Sequence, residues 1–79
     1  MKIQRRLGVS PKARQGCLTE TNCPDIFEMA DGRFVIIGDD VTADVRAALP
    51  EDAGIGLSER AVIIPREVLT AARGDIPPL

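Results

Sequence analysis

The sequence predicts a small α+β domain with elements in the order ββαβα, and two observations carry that prediction. The first is an Asp31-Gly32 turn between two strand-like runs, since Asp-Gly tolerates the positive φ angles of tight hairpins. The second is an internal echo: a shift of 27 positions lays Arg60-Ala61-Val62-Ile63-Ile64 on Arg33-Phe34-Val35-Ile36-Ile37, with six identities across fourteen positions. Each copy reads as a β-branched strand, a polar or proline break and an amphipathic helix.

The elements follow in order. Residues 1–16 hold Lys2, Arg5, Arg6, Lys12 and Arg14 without one acid, interleaved with Gly8, Ser10, Pro11 and Gly16. They show no helical stripe and no sustained alternation, so they read as a flexible basic arm, dispensable for folding, with 1–4 as its one strand-like stretch. The folded domain then spans 17–74, and 75–79 is a short tail on which Ile76 or Leu79 docks. From 25 to 30, Ile26 and Glu28 alternate with Phe27 and Met29, the pattern of a half-buried strand. The run 34–37 is apolar throughout, which predicts burial on both faces, as a central strand or one covered by a helix or a second subunit.

Gly38 ends that strand, and Asp39 or Asp40 caps a helix near 40–49 whose inner face is Val41, Val45, Ala48 and Leu49. Gly54-Ile55-Gly56 lies in a loop with no strand before it and no helix after it, so it reads as a turn rather than a phosphate cradle. A third strand near 61–64 is expected to join the hairpin in one sheet, with both helices packed on it and a right-handed crossover if it runs parallel to 34–37. Pro65 opens the last helix, near 65–73, in which Val68, Leu69 and Ala72 face the core and Gly74 is the stop. The echo makes Ile36 and Ile63 matching buried strand positions.

Composition narrows the function classes. The chain has 79 residues, two aromatic rings (Phe27 and Phe34) and no Trp or Tyr, which argues against a stacking platform for single-stranded nucleic acid. At this size a single core is marginal, so a second copy of the chain is one partner to expect. There is no histidine to serve as a general base, and the carboxylates Asp39, Asp40 and Asp44 are accounted for by the start of a helix, so the expectation is a non-enzyme without cofactor. No run approaches the ~20 apolar residues of a membrane span, and the arm lacks the apolar segment of a secretory signal, which points to the cytoplasm.

Cys17 and Cys23 bracket the polar stretch Leu-Thr-Glu-Thr-Asn, and three chemistries stay open for them. Free thiols are the first expectation in a reducing compartment. A disulfide closing a small ring is the second, and half of a four-thiolate zinc site across a dimer is the third, because without histidine one chain cannot complete a Cys/His site.

Cys23-Pro24-x-Ile26-Phe27, Gly32-x-Phe34-Val35-Ile36-x-Gly38 and Val62-x-Ile64-Pro65-x-x-Val68-Leu69-x-Ala71 together resemble a group of small uncharacterised actinobacterial proteins found near helix-turn-helix transcription regulators. The resemblance covers about residues 17–73 and implies an accessory protein in regulation that meets an unidentified protein partner. Ile64-Pro65-Arg66-Glu67-Val68-Leu69 also resembles the strand-to-helix corner of the AbrB-type swapped-hairpin DNA-binding domains, where the motif stands near the start rather than near the end. Three functional expectations follow: an interaction module, a dimeric DNA-binding regulator holding phosphates with Lys2, Arg5, Arg6, Lys12 and Arg14, and a thiol or zinc-bridged dimer through Cys17 and Cys23.

Overall fold

The computed structural model describes residues 1–10, 13 and 23–78. Their elements are β1 (Ile3–Arg6), β2 (Asp25–Met29), β3 (Phe34–Ile37), β4 (Asp39–Asp40), α1 (Thr42–Arg46), β5 (Val62–Ile63) and α2 (Arg66–Ala72), followed by a 3-10 turn over Arg73–Asp75. The α+β class holds. Three strands form one antiparallel sheet in the order β1-β2-β3, and β4 and β5 form a separate two-stranded ladder.

The hairpin lies where the sequence placed it. β2 and β3 pair antiparallel with Asp25 opposite Ile37, Ile26 opposite Ile36, Phe27 opposite Val35 and Glu28 opposite Phe34. The Gly32 N–H donates to the Met29 carbonyl at 3.0 Å and the Met29 N–H donates to the Arg33 carbonyl at 2.7 Å, a turn closed by one bulged residue. That residue is Gly32, whose φ of +91° a side chain would strain. The Asp31 carboxylate accepts hydrogen bonds from the Arg33 backbone N–H (3.0 Å) and Nε (2.8 Å), bonds that hold its carboxyl below the usual range.

The basic arm is corrected first. Its residues 3–6 are the strand β1, paired antiparallel with β2 through a bulge between Ile3 and Arg5. The ladder is extended at both ends, where the Ala30 N–H donates to the Lys2 carbonyl (2.8 Å) and the Leu7 N–H to the Ile26 carbonyl (2.9 Å). Arg5 and Arg6 hide this strand from a search for apolar alternation, because their partners lie across the sheet: Arg5 on Glu28 at 2.8 Å and Arg6 on Asp25 at 3.1 Å. Leu7 follows the strand directly and is among the most buried residues, 3% exposed.

The predicted third strand is also corrected. Val62–Ile63 is a strand, but it pairs antiparallel with β4 and not with the hairpin, so there is no parallel crossover. The cause lies at Asp39 and Asp40, which carry the β3 strand onward instead of opening a helix and offer β5 an edge. Gly38 is needed for this approach, since a Cβ there would stand 2.5 Å from the Ile63 carbonyl oxygen. α1 is a single turn, Thr42–Arg46, shorter than the expected 40–49 and without a buried residue. Asp40 still meets its first N–H group: its carboxylate accepts from the Thr42 backbone N–H (2.9 Å) and hydroxyl (2.6 Å), which lowers its pKa. Pro65 stands just before α2 with extended ψ, and the chain passes through Gly74 in the 3-10 turn, so Gly74 is not the stop.

The core is small: Leu7, Ile26, Val68 and Ala72, with Ile64 packed against them. Expected core positions are missing from it. Ile36 and Ile63 are 46% and 57% exposed, and Leu69 is turned outward at 54%. The reason is topological. Among the described residues β3 is the edge strand of its sheet, and β5 sits in a ladder of two residue pairs. The echo therefore has one buried helix position, Val68, whose counterpart Val41 precedes α1 and is half-buried.

Removing residues 1–7 should unfold the domain, and Leu7→Ala should cost about 2–5 kcal/mol in denaturant unfolding, the range for a buried leucine. A chain lacking 1–7 that melts like the intact one would contradict the β1 pairing. Gly32→Val should cost about 1–3 kcal/mol for a side chain held at positive φ. Gly54→Val, with nothing within 4 Å of its Cβ and no positive φ, should stay within about 0.5 kcal/mol on the same thermal melts.

Candidate functional site

The bases expected to meet an acidic partner divide into three groups. Lys2 is exposed at the start of β1. Arg5 and Arg6 are engaged within the fold: Arg5 also donates to the Asp75 carbonyl, and Arg6 lies over the Phe27 ring with its guanidinium carbon 5.0 Å from the ring centre. Asp25, which receives Arg6 on both carboxylate oxygens, is 5% exposed, so the pair anchors β1 rather than waiting for phosphate. Lys12 and Arg14 lie outside the described residues, as does Cys17.

Cys23 is disulfide-bonded, so the free-thiol expectation does not hold at that position. A half-cystine has no thiolate to offer a metal or a substrate. Among the described residues no group of three or more His, Cys, Asp or Glu side chains is placed to hold a metal ion, and no helix is long and apolar enough to cross a membrane. Asp40 and Asp44 share a shallow depression with Arg46 and Arg60, so bases already offset the acids there.

A different feature emerges on the sheet face beneath α2. The cross-strand partners Ile26 and Ile36, and next to them Phe34, project to one side of β2 and β3. Leu7, Ile26 and Ala72 make the floor of an apolar groove of about 210 Å³, Phe34 and Ile36 one wall, and Leu69 and Ile76 the other. The floor is buried, but the walls are not: Phe34 is 44% exposed, Ile36 46%, Leu69 54% and Ile76 49%. Among the described residues no polar side chain lines this groove. Four large apolar side chains side by side, each about half in water, form a patch that marks an interaction surface when it is contiguous. Finishing their burial is worth on the order of 1 kcal/mol each.

Asp75 steadies the second wall. Its carboxylate accepts from the Gly8 backbone N–H at 2.8 Å and its carbonyl from Arg5, so the 3-10 turn that presents Ile76 is tied to the end of β1. The groove is thus held by the segment the sequence assigned to a flexible arm. None of its wall residues was singled out as a site from sequence, because apolar side chains in a strand and a helix read as core. The one available signal was the unbroken run Phe34 to Ile37, which demanded cover on both faces.

Compared with protein-family models, with curated proteins and with solved structures, the chain matches none.

Arg6→Ala should destabilise the fold by about 1–3 kcal/mol, since among the described residues it leaves the buried Asp25 carboxylate only its Ile26 N–H contact. Arg5→Ala, acting on a more exposed pair, should stay within about 1 kcal/mol. Thermal melts of the two variants measure this ordering, and the reverse ordering would contradict the anchoring role.

Proposed function

We propose that this chain is a non-enzymatic interaction protein that docks a polypeptide in the apolar groove between β3 and α2. The observation that carries the reading is that groove itself: a buried floor, two walls of four half-exposed apolar side chains and, among the described residues, no polar side chain for a reacting group. Main-chain groups of β3 add directionality, because an extended segment laid along a sheet edge gains hydrogen bonds while alternate side chains enter pockets. A role as an accessory in transcriptional regulation is part of the proposal, and it rests on the resemblance to small actinobacterial proteins found near helix-turn-helix regulators.

The DNA-binding alternative draws less support, because Arg5 and Arg6 are held by Glu28 and Asp25. Binding that depends on phosphate neutralisation needs cations free to face the duplex.

The test uses Leu69→Lys, which places a charge on the groove wall at an exposed position of α2. The tagged wild-type and variant proteins should melt alike. The variant should lose the polypeptide that the wild type retains from its native cell. Retention of the same proteins by both, or recovery of nucleic acid in place of protein, would count against a docking groove.

A further inference from the structure

The groove opens along the outer edge of β3, and among the described residues no strand pairs with the backbone there. The Met29 N–H donates to the Arg33 carbonyl, so Arg33, Val35 and Ile37 turn their peptide groups toward β2 while Phe34 and Ile36 turn theirs away. Beyond Gly38, which belongs to neither strand, Asp39 pairs with Ile63 and the Val41 N–H donates to the Ala61 carbonyl at 2.9 Å, so β5 takes up the chain after β3 in a ladder of its own. Among the described residues no strand lies beyond β3, which ends its sheet.

We propose that the occupant of this edge is a second copy of the chain, its β3 pairing antiparallel with this β3 about a twofold axis at Ile36. The proposal rests on the docking reading of the groove and names the partner. Charge complementarity selects it. Arg33 precedes β3, Phe-Val-Ile-Ile follow, and after Gly38 come Asp39 and Asp40. With Ile36 opposite Ile36 of the second copy, Arg33 stands opposite Asp39 of the second copy, and the symmetry repeats that pair at the other end. Both residues are exposed; Arg33 already pairs with Asp31 of its own turn at 2.6 Å, so Asp39 of the second copy would share it, while the Asp39 side chain enters no hydrogen bond or ion pair with the described residues.

The remaining pairs agree with this register. Phe34 falls opposite Gly38 of the second copy. Val35 falls opposite Ile37 of the second copy. Because the axis is perpendicular to the sheet, Phe34 and Ile36 of both chains lie on the groove side, and the two three-stranded sheets become one. A parallel pairing would bring the same charges together at each end, and opposed like charges disfavour it.

Sedimentation equilibrium of the full chain at low salt tests the proposal. The expected species has twice the 8.5 kDa chain mass. Ile36→Lys should give a monomer with an unchanged circular dichroism spectrum. Arg33→Asp and Asp39→Arg should each raise the dissociation constant about tenfold or more, since each turns two attractive pairs repulsive. An equimolar mixture of these two variants should recover the wild-type constant, because both ends then oppose unlike charges. A monomer at every concentration, a dimer indifferent to either charge inversion, or a mixture no tighter than its components would overturn the proposal. The docking reading falls with it only if Leu69→Lys also leaves the retained proteins unchanged, which keeps the two failures distinct.

Discussion

Everything in this small domain leans on the pairing of β1 with β2. That ladder makes β2 a central strand, delivers Leu7 to the core beside Ile26, Val68 and Ala72, and brings Gly8 and Arg5 to the turn after α2. Without β1 the hairpin would be an isolated two-stranded unit, which is marginal in water. The cross-strand pairs Arg5–Glu28 and Arg6–Asp25 are what match the two strands. Such pairs are individually weak when exposed. Here one of them carries a buried carboxylate, so its partner is required rather than optional.

The same arrangement explains why the core is small and the surface is apolar. α2 contributes Val68 and Ala72 to the sheet, four positions apart on one helical face, while Leu69 faces outward. β3 has β2 on one side and, among the described residues, no strand on the other, and its Phe34, Ile36 and Ile37 are exposed. A chain with so little aromatic content has no large ring to spread over that gap. The consequence is a groove whose floor is part of the hydrophobic core and whose walls are half-exposed apolar side chains. An occupant seated there, as proposed, would also cover the core beneath it.

The edge of β3 lacks most of the devices that discourage pairing. It is neither bulged nor proline-bearing, and its charges stand at its ends rather than within it. In the proposed dimer, Arg33 before the strand and Asp39 after it would not block an approaching strand but would set its direction and register.

What the sequence determined by itself was local. The Asp-Gly hairpin, the extended register of 25–37, the strand at 62–63 and the helix after Pro65 are all present, because each depends on turn chemistry or short-range patterning. The cover demanded by Phe34 to Ile37 was legible too, although not its source. What only the tertiary structure decided was long-range: that residues 3–6 form a strand, that β5 joins β4 instead of the hairpin, and that Ile36, Ile63 and Leu69 stay exposed. β1 was hidden because its strand character is expressed in charge pairs with residues about twenty positions away rather than in alternation along itself. Exposure was hidden because a branched aliphatic side chain reads the same whether its cover comes from its own chain or from a partner, and only the packed structure shows which side chains were left without one.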